Sequence, residues 1–459
     1  MQNDITLQKE KLEQVEETTC CIVGSGPAGA VLALLLARKG IPVILLEEHM
    51  DFDRDFRGDT IHPSVMQIMD ELGLADRLLQ LDHTKAYAFP LQTAKGEVTF
   101  ADFRRLKTSF PYITMIPQVH FLEFITSEAK CYPNFRLVMG ARVEKLIEED
   151  GYVHGIHYRG KDGWHAVRAV LTVGADGRFS RVRKLAGFEP VKTAPPMDIL
   201  WFRFPRRPDD PKETVARLGS GHILIMLNRG EQWQIGYSIP KGGYQQIHAA
   251  GLEKLRQALA ELLPEYADRM DYIKEWKQVS VLSVESSRLP RWYRPGLLLI
   301  GDAAHVMSPV AGVGINYAIQ DAVVAANVLS DDLQLGKLPL RDLAAVQRKR
   351  EWPTRIIQGF QNLIQGQVLT RVLKSDQPLT ISPFLLLLLR LPVIRDLPAR
   401  FIGLGLWPVH IAGGECRAAR GGGKPHKRER KRFNERLPRT TPRAGASPAP
   451  TIHGLGRPI

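Results

Sequence analysis

Apolar runs and glycine punctuation in the first fifty positions predict a strand, a turn, a helix and a second strand. Residues 20–23 form a short apolar run, an apolar helix follows Gly29 to about residue 39, and residues 43–46 form a second run. Residues 55–63 read as a polar loop. Ser64 then starts a helix, with Val65, Met66, Ile68, Met69 and Leu72 on one face, that ends at Gly73. Residues 84–108 are strand-like, Ile116, Pro117 and Gln118 open a helix over 120–131, and residues 135–147 read as one strand. Two alternating runs, 152–159 and 164–173, predict paired strands. A short helix is expected over 180–186. The pattern then turns to β over 199–202, 222–227 and 232–239, with a helix over 252–263 and a strand over 279–284. A buried-strand run, 297–300, leads to a long helix from about Tyr317, and helical periodicity continues over 340–373. Residues 383–409 are apolar but broken by Pro392, Pro398 and Pro408. They predict a helical cap on the rest of the chain, with a greasy lid touching membrane or lipophilic substrate as the alternative.

This order predicts an α/β fold: a Rossmann-like nucleotide domain, an inserted mixed or antiparallel β-sheet, and a C-terminal helical region. The expected boundaries are a flexible leader over 1–17 and a discontinuous nucleotide domain over 18–85, 110–190 and 296–330. The substrate domain is expected over 86–109 and 191–295, the helical region over 331–410, and a disordered basic tail over 411–459.

The opening unit carries chemistry as well as shape. Gly24 allows a tight turn, Gly26 lets a pyrophosphate approach the backbone, and Gly29 lets helix and strand pack closely. The helix N-terminus that opens on Pro27 and Ala28 presents free N–H groups, from Ala28 onward, to phosphates. Glu47, eighteen residues after Gly29, can accept hydrogen bonds from ribose hydroxyls, and Glu48 is its neighbour on the other side of the strand. Arg57 lies in a polar loop suited to returning beside a pyrophosphate. Gly301 and Asp302 end an apolar strand, and a loop with Pro309, Gly312 and Gly314 enters a helix, so this is a second cradle for phosphate and polyol. Asp176 and Gly177 alone predict a turn.

Composition narrows the picture. The chain has 459 residues and a formal net charge of +13. Residues 411–459 hold twelve basic and three acidic side chains, so the first 410 residues, with 50 basic and 46 acidic, carry no nucleic-acid footprint. No secretory signal and no bilayer span are expected, since no apolar run, 384–389 included, approaches the length of about 20 residues that a span needs. Cys20, Cys21, Cys131 and Cys416 lack metal-ligand spacing and read as reduced thiols of a cytoplasmic protein.

Three motifs in this order resemble the class A flavin-dependent monooxygenases, the para-hydroxybenzoate hydroxylase-like family. They are Gly24 to Gly29 with Glu47; Asp176 and Gly177 with Ser180 and Arg183; and Gly301 and Asp302 with Pro309, Gly312 and Gly314. The resemblance covers roughly residues 18–375. It implies bound FAD with NADPH or NADH as a transient reductant, and O2 as co-substrate activated as a C4a-hydroperoxide. The implied activity is hydroxylation or epoxidation of an aromatic, polyketide-like or other lipophilic small molecule. By resemblance, Gly24, Gly26 and Gly29 face the pyrophosphate, Glu47 the ribose, and Asp302 the ribityl chain or pyrophosphate. Pro309, Gly312, Val313, Gly314, Ile315 and Asn316 flank the isoalloxazine, Arg57 and Gln118 contact FAD, and Asp176 serves flavin and nicotinamide.

No catalytic base is assigned. His222, Tyr237 and His62 are candidates, and His305 reads as an orienting group. Trp233 to Pro240 faintly resembles a flavin-halogenase motif, but Ile235 stands where a second Trp belongs. Two other readings stay open: a flavin reductase of the same fold acting on prenyl double bonds, and a redox-idle FAD-binding protein. Oligomeric state is not legible, and weak contact with a membrane surface stays open.

Overall fold

Complete burial of Cys20, Cys21 and Ile22, with no polar face, marks a central strand covered on both sides. The computed structural model describes residues 12–53, 59–93, 96–193, 195–211, 213–219, 222–366 and 392–412. All belong to the first of two compact units, Met1–Glu415; the second lies outside the described residues.

The first strand, Leu12–Val23, runs parallel to Trp164–Gly174 on one side and Val43–Glu47 on the other. Leu297–Leu299 and Phe135–Met139 extend the parallel sheet at either edge. Helices Pro27–Arg38, Gln118–Lys130 and Gly314–Gln334 cover one face through a continuous apolar core that includes Leu32, Leu36, Phe121, Ile319 and Val323. Strands Arg142–Glu149 and Tyr152–Arg159 build an antiparallel extension from Trp164–Gly174, and Val143, Val153 and Ile156 supply the core on the opposite face.

The second sheet has seven strands: Ser280–Leu282, Met197–Pro205, Gln232–Pro240, His222–Asn228, Val215–Gly219, Ala88–Thr93 and Gly96–Asp102, in that spatial order. Alternation along these strands gives it two different faces. Leu200, Phe202, Leu224, Met226, Ile235 and Tyr237 pack under helix Leu252–Leu262 and the 3-10 segment Pro264–Tyr272. Met197, Ile199, Trp201 and Leu227 point the other way, where Val310 and Ile364 meet them.

Several expectations change. The polar leader ends earlier than residue 17. Residues from Leu12 pair along Trp164–Ala169, because that long neighbouring strand projects beyond the core and its backbone groups need partners. Residues 135–147 are two strands, not one. The chain turns at Gly140 (φ 70°), where an added Cβ would lie 2.7 Å from Met50 Sδ. The inserted region gains a strand, Val215–Gly219, and a short helix, Tyr244–Ala250, that periodicity does not reveal. The long helix starts at Gly314 rather than near Tyr317. The helix from Leu340 is described to Ile364, and the rest of its expected span falls in 367–391, outside the described residues, as does the 384–389 run. Helix Pro392–Gly403 packs Ala399 and Ile402 against Phe103 and Ile113, as a cap would. The tail does not begin at 411. Ile411 N–H donates to Glu71 (2.8 Å) and Ala412 N–H to Asn327 Oδ1 (2.9 Å), and residues 413–459 lie outside the described residues. No helix among the described residues is long and apolar enough to cross a membrane.

Candidate active site

The three glycines of the first turn do different work. Gly24 has φ 98°, and a Cβ there would lie 2.6 Å from the Ala175 carbonyl oxygen. A Cβ on Gly29 would sit 2.0 Å from the Gly24 carbonyl oxygen, so both positions are closed by packing. A Cβ on Gly26 would meet only Ala175 O, at 4.0 Å, which leaves this side of the turn open. Gly26 is the N-cap of helix Pro27–Arg38 and gives it no side-chain cap, so the Ala28 and Gly29 N–H groups lack intrahelical partners. Beside them the Ser25 hydroxyl is buried with no hydrogen-bond partner among the described residues.

Glu47 reaches this turn from the end of the second strand. Its Oε2 accepts the Ser25 N–H (3.0 Å), and its Oε1 accepts the His49 N–H (3.1 Å). Glu48 turns away, half-exposed, with Arg142 Nε at 3.4 Å. Arg57 lies outside the described residues.

The second cradle lies against the first. Gly301 has φ 60°, and a Cβ there would be 3.2 Å from Ala28 Cβ and 3.2 Å from Ala318 Cβ. Helix Pro27–Arg38 and helix Gly314–Gln334 therefore meet at the Gly301 turn, with half-buried Asp302 next to it. The loop leading to the second helix is tightly bent. Ala311 (φ 67°) and Gly312 (φ 62°) are both left-handed, and the Gly312 N–H donates to Pro309 O (3.0 Å). Val313 is buried, Ile315 is half-buried, and a Cβ on Gly314 would come no closer than 3.8 Å, to Met307 Cβ. Helix Gly314–Gln334 also begins without a side-chain cap.

Asn316 acts as a clamp: its Oδ1 accepts the His62 N–H (2.8 Å) and its Nδ2 donates to Thr60 O (3.0 Å) and Gly312 O (3.2 Å). Asp176 likewise closes its own turn. Its carboxylate accepts the Ser180 hydroxyl (2.5 Å) and the N–H groups of Arg181 (2.7 Å) and Val182 (3.0 Å). Burial pushes this carboxyl above its ordinary value, against those hydrogen bonds. Gly177 has φ 79°, as that turn requires, and the Asp176 backbone lies against Gly24. Arg183 donates to Ala303 O (3.1 Å), tying the second motif to the Gly301 turn. Gln118 contributes its backbone N–H to Asp59 Oδ1 (3.1 Å).

Sequence reasoning missed the group that fixes the Gly301 turn. Asp321, fully buried, accepts the Gly301 N–H (3.0 Å), His305 Nε2 (2.6 Å) and Arg350 Nε (2.7 Å). Burial would raise the Asp321 carboxyl, but the charges and hydrogen bonds of His305 and Arg350 hold it below its ordinary value. An acid inside an otherwise apolar helical run was the available signal. Also missed was the ion pair between Asp59 and Arg229, which joins the loop ahead of Thr60 to the seven-stranded sheet.

Of the three base candidates, Tyr237 and His222 lie together on the face of the seven-stranded sheet away from Val310. Tyr237 lies under helix Leu252–Leu262, and its hydroxyl bonds to His222 Nε2 (3.1 Å). His62 is buried, with Nδ1 on the Ile402 carbonyl (2.8 Å); burial pushes it down to about 4 against that bond. His305 faces Asp321, with its Nε2 bonded to that carboxylate.

The sequence pattern of the FAD binding domain family matches residues 17–348. The chain belongs to this family. It is 35% identical over 360 residues to 6-methylpretetramide 4-monooxygenase of Streptomyces rimosus, covering 76% of this chain and 86% of that protein. It is 25% identical over 354 residues to squalene epoxidase 3 of Arabidopsis thaliana, covering 74% of this chain but only 63% of that protein. Among solved structures, the OxyS anhydrotetracycline hydroxylase from Streptomyces rimosus shares the fold. Its TM-score is 0.68 at 23% identity, over 86% of this chain and 78% of that one. The protein is an FAD-dependent monooxygenase with NAD(P)H as reductant. The turn fits the cofactor: an open face at Gly26, an orphaned hydroxyl at Ser25 and uncapped N–H groups are what a pyrophosphate needs.

Proposed function

We propose that the enzyme hydroxylates a fused-ring aromatic compound of polyketide type, bound between the seven-stranded sheet and the 309–316 loop. The observation that carries this reading is the sheet face turned toward that loop. Ile223, Ile225 and Leu227 are only half-buried in mid-sheet, while their neighbours Leu224 and Met226, facing the other way, are fully buried. An apolar surface left open beside Val310 suits a flat, greasy ligand. Likeness to 6-methylpretetramide 4-monooxygenase supports the same substrate class.

In this reading FAD spans both cradles. The Ala28 and Gly29 N–H groups hold the pyrophosphate at Gly26, Glu47 takes a ribose hydroxyl, and Asp302 the ribityl chain or pyrophosphate. Bound FAD supplies the redox chemistry, taking reducing equivalents from NAD(P)H and activating O2 for transfer of one oxygen atom. The chain's own work is positional. N–H groups at the start of helix Gly314–Gln334 oppose negative charge beside the ring. The Asn316 clamp and the Asp321 group hold the two loops that shape the site. The seven-stranded sheet supplies the substrate wall. Free thiols at Cys20, Cys21 and Cys131 suit a cytoplasmic enzyme.

Epoxidation of an isoprenoid alkene is a second reading, favoured by likeness to squalene epoxidase 3 and by the apolar wall. Turnover with NADPH under 18O2 on fused-ring phenols and on squalene separates the two. The expected product is a fused-ring phenol carrying one 18O atom; label confined to a squalene epoxide, or NADPH consumed without labelled product, overturns the proposal.

A further inference from the structure

The open sheet face is apolar in its middle and carries polar groups beside it. Register sets Trp201 opposite Gly236, and Gly236 opposite Ile225. The next row on the same face is Arg203, Gln234 and Leu227. Arg229 reaches this second row from the following turn, donating from Nε to Gln234 Oε1 (3.3 Å) while it pairs with Asp59.

Two donors here are left over. Trp201 is 9% exposed and its Nε1–H has no partner among the described residues. A Cβ on Gly236 would lie 2.8 Å from Trp201 Cη2 and 2.9 Å from Cζ3. The benzene edge of the indole therefore overlies Gly236, which leaves the N–H edge on the opposite side. The Arg229 side chain is 12% exposed, and its Nη1 is likewise buried without a partner among the described residues. An indole N–H and a guanidinium can only donate, so neither can satisfy the other. Leaving either one dry and unpaired is costly. Trp201 and Gln234 are diagonal neighbours on adjacent strands, a separation of about 7–8 Å between backbones.

We propose that Trp201 Nε1 and Arg229 Nη1 are the pair that reads the oxygen substituents of the substrate, selecting fused-ring compounds that bear carbonyl, enolate or phenolate oxygens. Asp59 holds the guanidinium in place, and the aliphatic side chains between the two donors take the ring body. This rests on the fused-ring reading above and adds which oxygens are recognised and by what. An acidic phenol or enol beside a guanidinium also needs less help to ionise.

The test compares two ligands of one shape, 1,3-dihydroxynaphthalene and naphthalene, by the change in flavin absorbance when each binds the holoenzyme. Trp201→Phe removes the N–H and keeps an aromatic ring. Arg229→Lys keeps a charge for Asp59 and removes the guanidinium fork. Each variant is expected to weaken dihydroxynaphthalene about five- to tenfold, the worth of one buried hydrogen bond, and to leave naphthalene within about twofold. Equal losses for both ligands would mean that the two side chains merely pack, and no loss for either would mean that they do not touch the ligand; both overturn the inference. Wild-type holoenzyme that binds neither ligand, while converting squalene, instead overturns the fused-ring reading and the inference with it.

Discussion

Ala311 holds a backbone conformation that alanine rarely adopts. It holds φ 67° and ψ 4° without being glycine, in the middle of the loop that enters helix Gly314–Gln334. A left-handed non-glycine residue is strained by roughly 1–2 kcal/mol, and such strain gathers at working loops. Ala311→Gly is expected to raise holoenzyme stability by about 0.5–1 kcal/mol, read as a higher urea midpoint, once the added chain entropy of glycine is subtracted. A lower midpoint would mean that the left-handed bend is not the resting shape of this loop. At this scale the sequence spoke unevenly. Gly24, Gly26 and Gly29 were legible because each meets a separate local demand. The engagement of Asp176 and Asn316 with the protein's own backbone was not, since a side chain's choice between ligand and neighbour depends on distant loops such as Thr60 and His62.

Among elements, the seven-stranded sheet depends on one buried ion pair at the end of two interior strands, Met197–Pro205 and Gln232–Pro240. Asp210 accepts from Arg269 Nη2 (2.7 Å), Trp233 Nε1 (2.9 Å) and the Arg207 N–H (2.9 Å). The hydrogen bonds from Arg269 hold its carboxyl well below the ordinary carboxylate range. Because the folded value lies below the unfolded one, the stabilisation is full at neutral pH and fades as pH falls below about 4. Asp210→Asn is expected to cost about 3 kcal/mol at pH 7, since it leaves a buried guanidinium uncompensated. The gap from wild type should narrow at pH 3. Urea unfolding at the two pH values checks this, and a gap independent of pH would contradict it.

The same sheet shows why element prediction failed where it did. Residues 199–202 and 232–239 were visible because bulky side chains are dense on both faces. Val215–Gly219 was not, because Val-Ala-Arg-Leu-Gly pairs small and charged residues whose fit is decided by Leu91 and Ile225 across the strands. Residues 135–147 were read as one strand because apolar content continues through Gly140, and only the reversal against Met50 splits it.

For the whole molecule, the defining fact is that two segments nearly 300 residues apart close on one crevice. Gly301 sits where the first helix and the Gly314–Gln334 helix touch, through Ala28 and Ala318. Each cradle was legible on its own, as a strand ending in glycines before a helix. Their contact was not, because it depends on parallel strand order, and neither was the buried Asp321 that bonds Gly301, His305 and Arg350 across three elements. The apolar wall and its two leftover donors were equally hidden, since a strand's facing sense and an orphaned N–H exist only once register is set.

The central claim is that one FAD lies in this crevice with its pyrophosphate on the open face of Gly26. Its most direct test is flavin titration of wild-type protein and of Gly26→Ala. Gly26 has φ −72° and room for a methyl group, so the variant should fold like the parent. The expected result is one FAD bound per wild-type chain, an affinity at least about tenfold weaker in the variant, and unchanged far-ultraviolet circular dichroism. Equal FAD affinity in the two proteins, or wild-type protein that stays colourless with FAD supplied, would contradict the account.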